Sequence, residues 1–186
     1  MKKNLMASQL KPRSYCEFVE TLDKKNVHRV YHDKYYGFPI KNDNELFERL
    51  VLEINQAGLS WNTILNKQKN FKKAFHNFDI KKVALYKNTD RKRLLSDPGI
   101  IRNRLKIEAT IHNANVILDL QKEFGTFKKW LNHHNGKNKD EWVKLFKNTF
   151  KFTGGEIVNE FLMSTNYLPG AHIKSCRVYK KIKSGK

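Results

Sequence analysis

The stretch VLEINQAGLSW, residues 51–61, combines a single carboxylate with a tryptophan eight residues further on. Its carboxylate, Glu53, lies beside an apolar helical stripe, because it follows Leu50 by three residues and Leu46 by seven. A carboxylate there either reaches water along the helix surface or needs a partner or a chemical purpose. The stripe consists of Leu46, Phe47, Leu50, Val51 and Ile54.

A dense group of aromatic residues lies upstream, in YHDKYYGFP at residues 31–39. These rings are too close together for a solvated loop, and Gly37 and Pro39 favour a turn. With Glu53 and Trp61 they could line a pocket that stacks a flat ring and reads its edge, as a flipped nucleobase requires. The alternative is a satellite aromatic core. The rings belong to Tyr31, Tyr35, Tyr36 and Phe38.

Two cysteines and two histidines form a candidate metal site. The segment HIKSC places His172 and Cys176 at H-x3-C spacing, and Cys16 and His32 supply a second pair. Together they suffice for a tetrahedral Cys2His2 zinc site, which would be structural and would tie the two ends of the chain together. The spacing of Cys16 and His32 is no standard finger spacing, so a buried free thiol and a surface histidine stay the alternative.

The turn SDPGIIRNRLK, residues 96–106, lies between two helical patterns. A tight Pro-Gly turn before a helix with basic residues leaves backbone N–H groups free for a phosphate, and the form resembles a helix-hairpin-helix element. The alternative is an ordinary helix connection. Nearby positive charge comes from Arg102, Arg104 and Lys106.

The chain has 186 residues, with 37 Lys and Arg against 18 Asp and Glu, for a net charge of +19. So large an excess favours a polyanionic partner, above all nucleic acid, although it could also serve only solubility. No apolar run is long enough for a membrane span or a secretory signal core, so we expect a cytoplasmic protein without a structural disulfide.

The elements that must position these residues are helices, since helical periodicity dominates from Asn44 onward and strand-like alternation does not persist. We therefore predict a nearly all-α, single unit over 1–186, with its helical core at 43–166 and its two terminal segments together. Ser60 should cap a helix that runs to about Phe75. Further helices are predicted over 80–86, 89–95, 102–124, 140–146 and 156–166, with an exposed loop at 132–140. The long helix should bury Leu105, Ile107, Ala109, Ile111, Ala114, Ile117 and Leu118.

Five segments stand in the order found in the DNA-3-methyladenine glycosylase I family, and the chain resembles that family from Cys16 to Cys176. These segments are YHDKYYGFP, LEINQAGLSW, GIIRNRLKI, FKFTGGEIVNEFL and HIKSC. The resemblance implies a helix-hairpin-helix glycosylase fold with one structural zinc, bound by the two cysteines and two histidines named above. It also implies a monofunctional hydrolase that releases 3-methyladenine from alkylated double-stranded DNA as a monomer.

The resemblance further implies residue roles. Glu53 and Tyr31 would hydrogen-bond the edge of the excised base, Trp61 would stack on its face, and Glu53 has the best claim to a catalytic role. The hairpin would hold the DNA backbone through Gly99, Ile101 and Arg102.

Two positions depart from the family pattern of Cys-x-Trp and Trp-Gly. This chain has Cys16-Glu17-Phe18 and Tyr36-Gly37 there, so we assign Phe18 and Tyr36 to the outer pocket wall.

Two alternatives to the enzyme stay open: a non-catalytic, zinc-stabilised module that binds DNA damage, and a basic helical RNA-associated protein, which would show no lesion preference.

Overall fold

The computed structural model describes residues 11–184, and these form eleven α-helices and one short 3-10 helix without a strand. The prediction of an all-α fold is confirmed. Residues 1–10, on which the expectation about a secretory signal falls, lie outside the described residues, as do 185 and 186. The helices are α1 (Tyr15–Glu20), α2 (Val27–Lys34), α3 (Asp43–Gln56), α4 (Trp61–Ala74), α5 (Ile80–Ala84), α6 (Asn88–Ser96), α7 (Arg104–Phe124), α8 (Phe127–His133), α9 (Lys139–Thr149), α10 (Gly155–Ser164) and α11 (Arg177–Ser184).

Helix α3 is the centre of the core. It begins where the Asn42 side chain accepts a hydrogen bond from the backbone N–H of Glu45, which satisfies one free donor of the first turn. The apolar stripe predicted from the sequence is buried throughout, and α3 contacts α4, α7, α8 and α10. Because neighbours cover α3 on several sides, even polar side chains beyond the stripe are removed from water.

The cap predicted for α4 is confirmed, since the Ser60 hydroxyl accepts a hydrogen bond from the backbone N–H of Thr63 at 3.2 Å. Trp61 is the first residue of this helix and is only half-buried, whereas Ile64, Leu65 and Phe71 are buried. The cap therefore fixes the start of α4 at the residue that the sequence singles out for stacking.

One core prediction on α7 is wrong. Leu105 is 69% exposed, because it precedes Ile107 by two residues and so lies about 200° around the helix from the buried stripe. The structure also contains α8, which the sequence prediction lacks. Phe127, Trp130 and Leu131 follow i, i+3, i+4 spacing, but seven residues are too few for the pattern to stand out.

The described parts of the terminal segments form the short helices α1, α2 and α11, which pack together. Cys16, Cys176 and Val178 are buried in one small cluster, and the Arg29 guanidinium donates to the carbonyl of Val19 at 2.8 Å. Among the described helices, none has the length and apolar character needed to cross a membrane.

Candidate active site

A cavity of about 270 Å³ opens between α1, α2, α3, α4 and α10. Its volume suits one small flat ring, since pockets for larger ligands start at about 300 Å³. We call it the aromatic cavity, because four of its seven lining residues are Tyr or Trp. The lining residues are Tyr15, Tyr31, Tyr36, Glu53, Gln56, Trp61 and Glu160.

Glu53 is 4% exposed, so its carboxyl group does not reach solvent along the helix surface. Burial raises the pKa of this carboxyl to about 8; the positive charge of Arg49 opposes the shift and the negative charge of Glu160 adds to it. The ionised form is therefore costly in the empty cavity and becomes favourable when a cation enters. Of the two interpretations that the sequence allowed, the structure excludes a Glu53 side chain that extends to water along the helix surface.

The rings around Glu53 form a continuous wall. Tyr31 lies edge-on to Trp61 with ring centroids 5.2 Å apart, and Tyr36 lies 5.6 Å from Tyr31. The Tyr31 hydroxyl is buried and has no hydrogen-bond partner among the described residues. A buried hydroxyl without a partner costs free energy, so it is available to a ligand that supplies one.

The outer wall differs from the sequence-based assignment. Phe18 does not line the aromatic cavity; it is 36% exposed and stacks on Tyr15 with centroids 6.2 Å apart. Tyr15 lines the cavity instead and packs edge-on to Tyr36 at 5.5 Å. Tyr15 and Phe18 are three residues apart on α1 and so share a helix face, on which Phe18 lies farther out.

The sequence reasoning also missed Gln56 and Glu160. Gln56 is three residues beyond Glu53 on α3, and this i, i+3 spacing would have placed both on one face. Glu160 carries no such signal, because it reaches the cavity from α10, more than a hundred residues away in sequence.

The four candidate metal ligands meet in one place, with their donor atoms all within 4.8 Å of one another. Sγ of Cys16 is 3.6 Å from Nδ1 of His172, and Sγ of Cys176 is 3.6 Å from Nε2 of His32. The two histidine nitrogens are 3.2 Å apart. This Cys/His cluster is buried and offers two sulfur and two nitrogen donors, a set suited to a tetrahedral metal ion.

The outer nitrogen of each histidine is also engaged. Nδ1 of His32 donates to the Asp33 carboxylate at 2.9 Å, and Nε2 of His172 donates to the carbonyl of Tyr36 at 2.8 Å. These bonds fix the ring orientation and leave the inner nitrogens free to accept a metal, as is usual for histidine ligands.

The hairpin turn, residues 97–103, lies between α6 and α7. Lys67 and Asn70 of α4 donate hydrogen bonds to the carbonyls of Pro98 and Gly99, which hold the turn against the helix that starts at Trp61. Ile100 is buried, whereas Arg102 is exposed and Gly99 and Ile101 are half-buried. In the described part of the chain, the backbone N–H groups of residues 101 and 102 form no hydrogen bond, so they can bind an anion.

A helical protein with an aromatic cavity around a buried carboxylate has the geometry of a protein that binds a flat, polar ring. The family model described as methyladenine glycosylase matches residues 21–148. DNA-3-methyladenine glycosylase 1 of Escherichia coli is 36% identical over 169 residues, which cover 81% of this chain and 90% of that protein. The chain therefore belongs to the methyladenine glycosylase family.

Solved structures agree with this assignment. The chain is similar to 3-methyladenine DNA glycosylase I from Staphylococcus aureus, with a TM-score of 0.76 and 34% identity over 84% of this chain and 93% of that one. It is also similar to a variant 3-methyladenine DNA glycosylase I in complex with 3-methyladenine, with a TM-score of 0.75 and 31% identity over 84% and 94% of the two chains.

Proposed function

We propose that this enzyme is a monofunctional DNA glycosylase that hydrolyses the N-glycosidic bond of 3-methyladenine in alkylated double-stranded DNA, leaves an abasic site and so initiates base excision repair. The observation that carries the proposal is the burial of Glu53 in the aromatic cavity, together with the family membership of the chain. Neither lysine nor arginine is among the cavity residues described above, which supports hydrolysis rather than Schiff-base chemistry.

The chemistry of the damaged base fits this cavity. Methylation at N3 makes the base a cation and a good leaving group, so less catalysis is needed than for a normal base. In a cavity that excludes water, the Glu53 carboxylate attracts this cation more strongly than neutral adenine. Trp61 stacks on the base, and Glu53 and the unpartnered Tyr31 hydroxyl hydrogen-bond its edge. Tyr15 and Tyr36 close the outer side.

Glu53 would also have a second role in the same reaction. Water must attack the sugar carbon as the bond to the base breaks, and a carboxylate that ionises near neutral pH can accept a proton from that water. Glu53 would therefore bind the base and, as the carboxylate of the sequence motif, also accept the proton of the attacking water.

Cys16, His32, His172 and Cys176 would hold one structural zinc. Zn–N bonds of about 2.0–2.1 Å and Zn–S bonds of about 2.3 Å at tetrahedral angles separate the ligand atoms by roughly 3.3–3.8 Å. Three nitrogen–sulfur distances of the Cys/His cluster, 3.6, 3.6 and 3.8 Å, fall in this range, and the nitrogen–nitrogen distance of 3.2 Å is close to it. Four protein ligands leave no open position, so the ion would stabilise the terminal helices and take no part in hydrolysis.

The hairpin turn would act as a helix-hairpin-helix element that holds the DNA backbone through Gly99, Ile101 and Arg102. Free backbone N–H groups and an exposed guanidinium support phosphate binding there. The same α4 helix supports this turn and begins with Trp61, so a bound backbone would lie near the aromatic cavity. A monomer working in the cytoplasm stays a prediction.

The experiment that tests this function is to incubate the protein with methylated duplex DNA and identify the free bases released. Release of 3-methyladenine as the main product is expected. Release of 7-methylguanine as the main product would contradict the proposed substrate. Lesion-selective binding without release of any base would contradict the enzymatic proposal and support the non-catalytic damage-binding module.

A further inference from the structure

A second carboxylate, Glu160, lines the aromatic cavity and has no role in the proposed mechanism. It lies on α10, which packs against α3, and it is half-buried. The Tyr36 hydroxyl donates a hydrogen bond to its Oε2 atom at 3.2 Å. Glu160 lines the same cavity as Glu53, and its negative charge raises the pKa of Glu53.

A buried cation offsets the charge of Glu53. Arg49 is 7% exposed, its guanidinium lies 5.0 Å from the centroid of the Tyr31 ring, and it donates to the carbonyl of Ser164 at 3.1 Å. Its positive charge opposes the pKa shifts of both Glu53 and Tyr31. Arg49 therefore offsets part of the charge of an ionised Glu53 and weakens its attraction for a second positive charge.

The balance changes when Glu160 is counted. With a cationic base in the cavity, Arg49 and the base contribute two positive charges, and Glu53 and Glu160 contribute two negative ones. Without Glu160, one positive charge in the aromatic cavity would have no negative charge to compensate it. Such a charge is costly where the effective dielectric constant is low.

The charged and polar groups around Glu160 do not cancel its negative charge on the side that faces the cavity. Burial raises the pKa of Glu160, and the hydrogen bond from Tyr36 lowers it by stabilising the ionised form. On the solvent side, Glu156 and Lys139 also act on Glu160, but they pair with each other at 3.1 Å, so their effects oppose one another. The other cavity residues facing it are uncharged apart from Glu53.

We propose that Glu160 is a second specificity-determining carboxylate, which completes the charge balance of the aromatic cavity and thereby selects cationic over neutral purines. This inference rests on the proposed function, since it assumes that an alkylated, positively charged base is the ligand. Glu160 and Glu53 line the same cavity, so Glu160 would lie beside a base bound there.

The test compares two ligands that differ in charge and hardly in shape. One is 3,9-dimethyladeninium, a permanent cation in which a methyl group replaces the sugar. The other is its neutral isostere, in which carbon replaces N3 of the ring. Equilibrium binding of both is measured by calorimetry for the wild-type protein, Glu160→Gln and Glu160→Ala. Glu123→Gln, an exposed change near the end of α7 and outside the cavity, is the matched control.

Both Glu160 variants should bind the cation about tenfold more weakly, as expected for the loss of one nearby charge, and the neutral isostere within about twofold of wild type. The control should leave both affinities unchanged. The inference is overturned if the cation still binds within twofold, or if both ligands lose affinity equally, which would indicate a role in shape. Two variants are used because Gln keeps the volume and Ala avoids a buried amide.

Excision assays on the same samples separate the inference from the function. If the wild-type protein releases no 3-methyladenine while Glu160→Gln loses charge selection, the proposed function fails and the charge balance stands. If the wild type releases 3-methyladenine and Glu160→Gln keeps full charge selection, only the inference fails.

Discussion

His172 donates a hydrogen bond from Nε2 to the backbone carbonyl of Tyr36 over 2.8 Å, and the ring of the same tyrosine is a wall of the aromatic cavity. The Cys/His cluster and the candidate active site are therefore neighbours that share one residue. Gly37 follows at a φ of 75°, and a Cβ there would lie 2.8 Å from that of Ala171, so the chain passes close to the cluster as it leaves Tyr36.

The first prediction concerns the metal. Cys176→Ser should abolish the binding of one zinc per chain and lower the free energy of unfolding by ~4 kcal/mol or more, as the loss of a structural metal commonly does. It should also weaken 3-methyladenine binding, because the position of Tyr36 depends on His172. Elemental analysis and urea unfolding check this, with the exposed neighbour Ser175→Ala as control. Well under one zinc in the purified wild-type protein would contradict the assignment of the four ligands.

The second prediction is a pH dependence of stability. The pKa of Glu53 rises from 4.5 in the unfolded reference to about 8 in the folded protein, so the folded state binds the proton more tightly. This contribution to stability is present below about pH 4.5 and is lost as the pH rises to about 8. Glu53→Gln should therefore be ~2–4 kcal/mol more stable than wild type near pH 8 and similar near pH 4.5.

Urea unfolding of both proteins at several pH values measures this difference in the free energy of unfolding. Both proteins contain the Cys/His cluster, so its own pH dependence cancels when one free energy is subtracted from the other. A stability difference that does not change with pH would show that Glu53 is ionised at little cost in the empty cavity.

The third prediction uses the unpartnered hydroxyl of Tyr31. Tyr31→Phe removes a buried polar group without a partner, so the free protein should gain up to ~1 kcal/mol of stability, whereas 3-methyladenine binding should weaken about tenfold. Thermal unfolding and calorimetry test the two effects, with the 52% exposed Tyr35→Phe as control. A loss of stability without a loss of binding would mean that the hydroxyl serves the fold.

The fourth prediction concerns the hairpin turn. Arg102→Ala should weaken binding to methylated and unmethylated duplexes alike and reduce the dependence of affinity on salt by about one phosphate contact. Binding titrations at several salt concentrations measure both quantities. Lys122→Ala, an exposed change at the far end of α7, should alter neither, because its side chain is 78% exposed and its ammonium group pairs only with Asp119 among the described residues. An equal effect of both substitutions would indicate that only net charge matters.

The sequence was sufficient where the local pattern decides the structure. The stripe around Leu50 predicts a buried helix, and Ser60 predicts the start of the next one; the helix ends agree within about three residues. The HIKSC spacing and the family resemblance also propose the four residues of the Cys/His cluster, although only the fold shows that they meet.

The remainder depends on tertiary contacts. Leu105 has the residue type of a core position, but the phase of α7 turns it to solvent. Tyr15, rather than Phe18, lines the cavity because α1 packs with the Tyr15 side of their shared helix face toward Tyr36. Glu160 is chemically indistinguishable from other acidic residues until α10 docks on α3, so no sequence pattern could have assigned it to the cavity.

The most direct test of the central claim is single-turnover release of 3-methyladenine from methylated duplex DNA by wild type, Glu53→Gln and Glu45→Gln, an exposed change on the same helix. The amide keeps the volume of Glu53 but cannot carry its charge, so release should fall at least ~100-fold, in line with the usual contribution of a positioned acid–base group. Glu45→Gln should match wild type. Full release of the base by Glu53→Gln, with affinity for it unchanged, would contradict both roles assigned to Glu53.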